Sequence, residues 1–496
     1  MEMEITLKIT DRYLWIPYGR DADPVKLHFF SDGEKICEAD VKLARGCPDF
    51  RFAADMKEQV GKEIVIRGDF GEGLPDALVC RPDKPEVAYP YRPELHFTAE
   101  AGWINDPNGL VFSDGVYHLF HQWNPYGTVW GNMHWGHAVS RDLFNWTRSG
   151  VALMPDDTGT MYSGSGLKDE KNAAGFGKDA LLFFYTAAGG NNLWSAERGA
   201  KRTQRIAVST DGGRTLEKRC CAVGHIKGGN RDPKVFYHEE SGGYVMALFL
   251  DGYEFALLRS PDLLHWTETQ RFSADGMREC PDLFRLPYSD GEKWIFWSAD
   301  GYYMTGGFDG YRFTPDSGVL SAYDTKLPYA AQTYSGVRDR VISVAWLRTK
   351  NDRGGFRCMM SVPAELSLKD TADGPRIAFR PVRELWGHLT DEKTLSADGN
   401  VGEIPLGGGS CAIKIERSPG AAPAEVRIGG TRIGPFEGNA PSLFIIDHGI
   451  VEYYCSDGLV YGALEAEEDL LSKTFDPGEG ASRIAVYRFG KEREII

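Results

Sequence analysis

The sequence has few features of a helical, membrane-spanning or disulfide-bonded protein. Apolar residues at helical spacing are nearly absent from its 496 residues, and the longest largely apolar stretch, residues 180–188, is too short for a membrane span of about 20 residues. Its nine cysteines are odd in number and contain no CxxC pair, so they indicate neither a zinc site nor a disulfide framework. Short alternating or apolar runs between turn-forming residues predict an all-β protein.

Basic residues are fewer than acidic residues. The chain has 56 Lys and Arg against 71 Asp and Glu, a formal net charge of −15. Such a surface repels nucleic acid and anionic membranes, so we expect neither as a partner, and composition gives no indication of the oligomeric state. The first residues lack the basic start and apolar run of a signal peptide, which predicts a cytoplasmic protein, or a secreted one if a leader has been trimmed.

Glycine and aromatic residues, by contrast, are abundant, with 58 Gly, 12 Trp, 22 Tyr and 26 Phe. Glycine separates short strands, and aromatic rings pack well on pleated sheets. Exposed aromatic rings also stack on neutral sugars, and composition alone does not separate these two uses.

Proline and changes in composition divide the chain into three parts. Four prolines at positions 82, 85, 90 and 93 indicate a stiff linker after an N-terminal β-module of residues 1–90. A turn-rich segment near residue 368 interrupts the strands again. We therefore expect a central domain over residues 91–368 and a C-terminal β-domain over residues 369–496.

The central region repeats at a spacing that suits a β-propeller. The segment SRDLFNW at 140–146 is echoed by SPDLLHW at 260–266, and the aspartates of this series, Asp142, Asp211, Asp262 and Asp309, are 69, 51 and 47 residues apart. A period of about 50 residues fits one four-stranded blade. A second series of strand starts, at residues 105, 162, 231, 279 and 334, predicts five blades. A sandwich of tandem hairpins is the alternative.

Three carboxylates stand beside prolines in this second series, namely Asp106, Asp232 and Glu279. Equivalent positions of successive blades converge on the propeller axis, so we expect the three side chains to meet in one pocket. Most Asp-Pro pairs only bond their own backbone in turns, which is the simpler interpretation of each motif alone. Together the three fit glycoside hydrolysis, which needs a nucleophile, a protonated acid and a group that stabilises the cationic transition state.

The ordered motifs resemble glycoside hydrolase family 32, the invertases and fructanases, over residues 92–496. The resemblance implies a five-bladed β-propeller catalytic domain followed by a C-terminal β-sandwich. The extra N-terminal β-module then binds sugar or packs against the propeller, and packing is the simpler interpretation. The motifs are WINDPNG (103–109), HQWNP (121–125), YSGS (162–165), RDP (231–233), ECPD (279–282), YAAQ (329–332), SVPAEL (361–366), PVREL (381–385) and FIIDHGIVE (444–452).

The same resemblance implies a role for each carboxylate. Asp106 is the implied nucleophile, Glu279 the general acid/base and Asp232 the stabiliser of the transition state, with net retention through a covalent fructosyl–enzyme intermediate. Retaining geometry predicts about 5–5.5 Å between the carboxyl groups of Asp106 and Glu279. Glu279 has to be shielded enough to hold a proton. No metal or organic cofactor is implied.

The substrate-binding residues that the resemblance implies offer amides, a hydroxyl, a guanidinium and aromatic faces to a sugar. They are Asn105, Gln122, Trp130, Ser163 and Arg231, together with Trp103, Trp135 and Tyr162. His134 and His137 lie near each other in sequence without an evident third ligand, so we expect no metal there. We expect the basic stretch 197–203 to be a solvated loop.

The predicted function is retaining hydrolysis of β-D-fructofuranosyl linkages, with exo-action on fructooligosaccharides, levan- or inulin-type fructans or sucrose. A fructosyltransferase and an endo-acting fructanase on the same scaffold would use the same acids. A sugar-binding propeller without catalysis and an inverting, pentose-releasing hydrolase are further alternatives. Linkage preference and chain length depend on loops that these motifs do not describe.

Overall fold

Strands account for nearly all the regular structure of the chain. The computed structural model describes residues 3–70, 74–86, 92–289, 291–396, 402–407, 409–418, 420–436, 440–466, 470 and 473–490. The helices in these ranges are short, and none of them has the length and apolar character needed to cross a membrane. All nine cysteines carry free thiols. The prediction of an all-β protein is confirmed.

The N-terminal module consists of two antiparallel sheets that share one apolar core. In Glu63–Gly68, Ile64 and Ile66 are buried whereas Glu63 and Arg67 are exposed, the alternation expected of a half-buried strand. Residues 87–91 of the predicted linker, and with them the predicted boundary at residue 90, lie outside the described residues. In sheet order, the strands are Met3–Lys8, Glu63–Gly68, Pro24–Ser31 and Glu34–Lys42, then Phe50–Asp55, Tyr13–Tyr18 and Val79–Arg81, with helical turns at Lys57–Gln59 and Leu74–Ala77.

Five sheets follow one another along the described chain from residue 102 to residue 381, and each forms one blade of a propeller. The first strands of neighbouring blades contact one another, and at the boundary of blades 3 and 4 Lys234 bonds Asp282, so these strands lie innermost. The prediction of a five-bladed propeller is confirmed. The strands are Gly102–Ser113, Val116–Asn124, His134–Ser140 and Thr147–Leu153 in blade 1; Thr160–Asp169, Ala180–Ala188, Thr203–Ser209 and Glu217–Val223 in blade 2; Arg231–His238, Gly243–Asp251, Glu254–Ser260 and Thr267–Ser273 in blade 3; Asp282–Tyr288, Gly291–Trp297, Tyr302–Phe308 and Phe313–Pro315, with Leu320–Ser321 alongside, in blade 4; and Pro328–Thr333, Val341–Leu347, Ala364–Thr371 and Gly374–Pro381, with Met359–Met360 alongside, in blade 5.

Backbone pairing between blade 5 and blade 1 closes the ring. The short strand Phe356–Arg357 pairs in parallel with the start of Gly102–Ser113. Further along the same strand, the N–H of Ser335 donates to the carbonyl of Leu110 at 2.9 Å, and the N–H of Phe112 donates back to Ser335 at 2.8 Å. The last blade is therefore fastened directly to the strand that carries the WINDPNG motif.

The repeated aspartates occupy equivalent turns between the third and fourth strands of blades 1 to 4. One carboxylate oxygen accepts from the N–H groups two and three residues further on, at 3.0 and 2.7 Å in Asp142, 3.0 and 2.8 Å in Asp262 and 2.7 Å for both in Asp309. Asp211 accepts instead from the N–H four residues on, at 3.0 Å. These side chains close turns in place of backbone partners, which explains the repeat.

The fifth blade begins earlier than the sequence pattern predicts. Its first strand is Pro328–Thr333, and the predicted start at residues 334–336 follows this strand instead of opening it. A register shift between Tyr329 and Gln332 removes the alternation by which a strand is recognised in sequence.

The domain boundary predicted at residue 368 is also wrong. It falls inside Ala364–Thr371, the third strand of blade 5, which pairs with Gly374–Pro381 along its whole length. The turn-rich residues between these two strands form a hairpin within the blade and not a linker. The propeller therefore ends at Pro381.

The C-terminal domain is a sandwich of two sheets around a shared core. Ile413 and Ile484 of the larger sheet and Val426 and Phe475 of the smaller sheet are buried in that core. A helical turn, Arg383–His388, connects the sandwich to the propeller, and another, Ser456–Gly458, lies within the larger sheet. The sheet orders are Leu389–Ser396, Ala481–Phe489, Cys411–Arg417, Ser442–Asp447, Ile450–Cys455 and Val460–Glu465, and Ile404–Pro405, Thr474–Asp476, Ala424–Ile428 and Thr431–Phe436.

A buried ionic group joins the propeller to the sandwich. His96, just before blade 1, lies between Asp447 (Nδ1 to Oδ2, 2.7 Å) and Glu452 (Nε2 to Oε1, 2.8 Å), and all three side chains are fully buried. Burial alone would lower the pKa of His96, but the hydrogen bonds to these two carboxylates raise it to about 9. Asp447 and Glu452 both lie in the FIIDHGIVE motif, so this motif carries the contact between the two domains.

We expect the variant His96→Gln to lower the free energy of unfolding by about 3–5 kcal/mol at pH 6, because it leaves buried carboxylates without a cation. The folded-state pKa of about 9 lies above the ordinary histidine value of 6.5, so the stabilisation is complete below pH 6.5 and is lost as the pH rises through 9. Denaturant midpoints at pH 6 and pH 9.5 measure the difference. The exposed His265→Gln serves as control, and a pH-independent difference would contradict a charged His96.

Candidate active site

A cavity of about 500 Å³ opens at the centre of the propeller, and all five blades contribute to its wall. The three carboxylates singled out in the sequence meet here, together with most of the expected binding residues. Its lining consists of Asn105, Asp106, Gln122, Trp130, Tyr162, Ser163, Arg202, Arg231, Asp232, Glu279, Tyr329 and Trp346.

Irregular backbone carries the three carboxylates into the cavity. Asp106 and Asp232 each lie at a register shift in the first strand of their blade. Asp232 and Glu279 have φ angles of 62° and 53°, in the left-handed region that is costly for residues other than glycine. The neighbouring prolines cannot donate to a strand ladder, so they favour these bulges, which turn a side chain away from the sheet. Strain of this kind concentrates at functional sites.

Asp106 is held on both carboxylate oxygens. Ser163 Oγ donates to Oδ2 at 2.5 Å, and Asn105 Nδ2 donates to Oδ1 at 3.2 Å. The thiol of Cys280 also approaches Oδ2, at 3.5 Å. Burial raises the pKa of Asp106, and the bonds from Ser163 and Asn105 act against that rise. The side chain is therefore fixed in orientation by donors that favour its ionised form.

Asp232 is only 6 % exposed. Its Oδ2 accepts from the N–H of Cys280 at 3.1 Å and lies 3.6 Å from Nε of Arg231. Burial raises the pKa of Asp232 to about 7; Arg231 lowers it, and the negative charge of Asp106 raises it further. Burial thus favours the neutral form of Asp232, and Arg231 favours its ionised form.

Glu279 faces the more open part of the cavity, with 34 % of its side chain exposed. Arg231 Nη2 donates to its Oε1 at 2.5 Å, and the hydroxyl of Tyr329 donates to its Oε2 at 2.9 Å. Arg231 itself is held by the carbonyl of Gly229 and by the ring of Phe249. The guanidinium of Arg231 thus bonds Glu279 and also lies close to Asp232.

The amides expected to bind sugar form a chain behind Asp106. Asn105 Nδ2 also donates to Gln122 Oε1 at 3.2 Å, and Gln122 Nε2 donates to the carbonyl of Met161 at 3.2 Å. The exposed ring of Trp130 stands edge-on to Tyr162 with ring centroids 6.1 Å apart. Polar groups therefore form the base of the cavity and aromatic rings form part of its wall.

Residues 96–381 match the protein family described as "Glycosyl hydrolases family 32 N-terminal domain". The chain belongs to glycoside hydrolase family 32. The match ends at the last residue of blade 5, so it coincides with the end of the propeller.

Characterised relatives and solved structures agree with this family. The chain is 38 % identical to a levanase of Bacillus subtilis over 343 residues, which cover 60 % of this chain and 49 % of the levanase. It is 32 % identical to an extracellular exo-inulinase of Aspergillus niger over 62 % of this chain and 67 % of that protein. The chain thus spans about half the length of the levanase.

The solved structure of an exo-inulinase from Aspergillus awamori superposes with a TM-score of 0.69 at 23 % identity, over 82 % of this chain and 99 % of that one. At this level of identity the likeness shows the shared fold, a propeller followed by a sandwich.

Two tryptophans expected to contact sugar do not line the cavity of this family 32 chain. Trp135 is fully buried, because its ring packs in the core between blades 1 and 2, and its indole N–H donates to the carbonyl of Tyr162 at 2.9 Å. The expectation of direct contact is wrong for Trp135. Trp103 lies behind the cavity, where its N–H donates to Asn105 Oδ1 at 3.2 Å and its ring packs on Trp346. Both side chains support residues that line the cavity.

Three lining residues were not singled out from the sequence as site residues. Tyr329 belongs to the YAAQ motif, which could have identified it as a site residue. Trp346 lies in an apolar strand that has no motif to mark it as one. Arg202 belongs to the basic stretch 197–203 that we expected to be a solvated loop. Residues 197–199 and 201 are exposed as expected, but Arg202 lines the cavity beside the ring of Tyr162.

His134 and His137 of blade 1, which lie near each other in sequence, each contact another residue of the protein. His134 Nδ1 contacts the carbonyl of Asn132, and His137 Nε2 lies 3.2 Å from His118 Nδ1. Burial lowers the pKa of His134 to about 4 and that of His137 to about 3. Within the described ranges, no group of three or more His, Cys, Asp or Glu side chains has the arrangement of a metal site.

Lys234 fastens blades 3, 4 and 5 together. Its Nζ donates to Asp282 Oδ2 at 3.0 Å and to the carbonyl and hydroxyl of Thr333 at 2.7 and 2.9 Å. The same carboxylate oxygen accepts from the N–H and the hydroxyl of Thr333. Lys234 lies two residues after Asp232, and Asp282 three residues after Glu279, so this buried pair anchors the backbone next to both acids.

We expect Lys234→Met to lower the free energy of unfolding by about 3–5 kcal/mol, because Asp282 would be left buried without its cation. The double variant Lys234→Met/Asp282→Leu should recover much of this loss, since it removes both charges together. Denaturant unfolding provides the measurement, with the exposed Lys178→Met as control. A single variant as stable as the wild type would show that the pair does not join the blades.

Proposed function

We propose that the protein is a retaining β-fructofuranosidase-type hydrolase that removes terminal fructose from fructooligosaccharides, levan- or inulin-type fructans or sucrose. The observation that carries this proposal is the meeting of three carboxyl groups from three blades in one cavity of about 500 Å³ lined by amides, hydroxyls and aromatic rings. The family and the names of the relatives, levanase, exo-inulinase and invertase, support the same class of substrate.

In the first step, an oxygen of Asp106 attacks the anomeric carbon of the fructosyl unit. The bond from that carbon to the bridging oxygen breaks, and the oxygen takes a proton from Glu279 and leaves as an alcohol. The contacts of Asp106 suit this role, because Ser163 and Asn105 donate to both of its oxygens and so orient an ionised nucleophile.

In the second step, Glu279 accepts a proton from a water molecule, whose oxygen attacks the anomeric carbon and releases Asp106. The partial exposure of Glu279 gives it access both to the departing group and to the incoming water. Arg231 and Tyr329, each bonded to one oxygen of this carboxyl group, hold it in position through both steps.

Asp232 binds ring hydroxyls and stabilises the positive charge that develops at the anomeric centre in each transition state. Its burial strengthens this effect, because a nearby negative charge acts more strongly in a medium of low dielectric constant. Arg231 lies within 3.6 Å of Asp232 as well as beside Glu279, so it limits the repulsion among the three acids.

The shape of the cavity supports exo-action. Its base is formed by nearly buried residues such as Asn105, Gln122 and Asp232, whereas Trp130 is 53 % exposed at its mouth. A terminal fructosyl unit fits such a recess with the remainder of the saccharide directed outward.

The variant Asp106→Asn should lower kcat for hydrolysis of sucrose or of a fructooligosaccharide at least about a thousandfold, because it removes the nucleophile. Saccharide affinity, measured by calorimetry, should persist because the cavity keeps its shape. The exposed Asp114→Asn, on the turn after the same strand, is the control and should retain full activity. Undiminished turnover in the Asp106 variant would contradict the assignment.

The kcat/KM should rise as the pH increases toward about 7, because burial raises the pKa of Asp232 to about 7 and this carboxylate stabilises the transition state only when it is ionised. Arg231 lowers that pKa, so Arg231→Gln should move this acidic limb upward by about one pH unit while reducing the rate. Initial rates across pH 4–9 give the profile. An acidic limb that stays in place would contradict the coupling of Arg231 to Asp232.

Two product analyses separate the remaining alternatives. Proton NMR of the first-formed fructose should show the β-anomer if the mechanism retains configuration, and the α-anomer would indicate an inverting enzyme. Chromatography of products at high sucrose concentration should show mainly free fructose and glucose. A predominance of longer oligosaccharides would identify a fructosyltransferase instead.

A further inference from the structure

The N-terminal module contacts the loop that carries Trp130. The N–H of Asp40, on the strand Glu34–Lys42, donates to Asn132 Oδ1 at 2.7 Å, and Asn132 Nδ2 donates back to the carbonyl of Asp40 at 2.8 Å. Asn132 has a φ of 46°, so the loop turns sharply at this contact. Two hydrogen bonds with the module therefore hold the side chain of Asn132, two residues after Trp130.

The same strand of the module also holds a second loop beside the cavity, the one that contains the short helix Leu193–Glu197. Glu38 has only 3 % of its side chain exposed, and its two carboxylate oxygens accept from the N–H groups of Leu193 and Trp194 at 2.9 and 3.0 Å. Lys26, 3.3 Å away, compensates part of its charge. Burying a carboxylate to this degree costs free energy unless hydrogen-bond donors satisfy its oxygens. The two N–H groups must therefore stay in this orientation relative to Glu38.

Both loops lead directly to the aromatic wall of the cavity. Asn191, two residues before Leu193, donates to the hydroxyl of Tyr162, and the ring of Tyr162 contacts the ring of Trp130. Trp130 and Leu193 are among the most exposed apolar side chains of the described residues. The module thus supports, from outside the propeller, the apolar surface at the mouth of the cavity. The part of a bound saccharide that extends out of the cavity would lie against this surface.

We propose that the N-terminal module is a specificity element, in which Glu38 and Asn132 act as positioning residues for the wall formed by Tyr162 and Trp130 and thereby set the affinity for saccharide units beyond the cleaved bond. This inference rests on the proposed fructoside hydrolysis. Its physical basis is pre-organisation, because a ring that is already held in its binding orientation loses less entropy when the saccharide binds.

The test uses the full-length chain with Glu38→Gln and Asn132→Gly. The first removes the charge and retains the shape, whereas the second removes the amide and still permits a positive φ. Glu4→Gln is the matched control, because Glu4 is an exposed carboxylate whose ion pair with Arg67 lies within the module. Kinetics are measured with sucrose and with a fructooligosaccharide of at least four units.

We expect each variant to raise KM for the oligosaccharide about three- to tenfold, the change expected when one side chain must be ordered during binding, and to leave kcat unchanged. KM for sucrose should change less. In a double-mutant cycle, Glu38→Gln should raise KM for the oligosaccharide little further in a protein that already carries Trp130→Ala, because both substitutions act through the same ring. Equal losses of kcat on both substrates, or an additive cycle, would overturn the proposal and indicate a purely structural module.

A second readout does not depend on activity. Hydrogen exchange of the backbone in residues 126–132 and 191–197 should accelerate in Glu38→Gln and Asn132→Gly but not in Glu4→Gln. If the wild type hydrolyses no fructoside, the proposed function fails while this measurement still tests the positioning. Unchanged exchange in both loops would overturn the inference even if the enzyme is active.

Discussion

The buried pair of Lys234 and Asp282 is the interaction on which the active cavity depends. A propeller brings its inner strands together at an axis where there is little room for a conventional apolar core, and the strands must be joined there by other means. Lys234 bonds Asp282 of blade 4 and Thr333 of blade 5 at once. Lys234 lies two residues after Asp232 and Asp282 three residues after Glu279, so this pair restrains the backbone next to both acids.

Short polar side chains continue the same kind of junction around the ring. Ser165 of blade 2 donates to the carbonyl of Pro233 and accepts from the N–H of Val235 in blade 3. Gln332 of blade 5 donates to the carbonyl of Gly164 and accepts from the N–H of Leu110. These directional bonds fix the blades in register, which apolar packing alone would specify less strictly. Asp106 and Asp232 therefore lie on strands, and Glu279 three residues before a strand, whose relative positions are tightly defined.

The sequence predicted the parts of this structure that leave a local signature. Five blades and the three acids were expected from repeated turns and from motifs in which proline stands beside a carboxylate, and the sandwich was implied by the resemblance to family 32. Trp135 was misjudged because a motif gives the identity of a residue but not the direction of its side chain, and alternate residues of a strand face opposite sides. Arg202 and Trp346 reach the cavity through loop and strand geometry that has no sequence pattern. The end of blade 5 was missed because a hairpin and a linker share the same turn residues.

The interfaces of the propeller with the sandwich and with the N-terminal module both contain a buried charged side chain. The sandwich is tied to it through His96 between two buried carboxylates, and the N-terminal module through Glu38 and two backbone N–H groups. Apolar surfaces tolerate sliding, whereas a buried charge keeps its favourable energy only in one arrangement of donors and acceptors. At the sandwich this fixes a domain none of whose described residues is among those that line the cavity. At the N-terminal module it fixes two loops that border the cavity, so the same kind of interaction acts on stability at one interface and on substrate selection at the other.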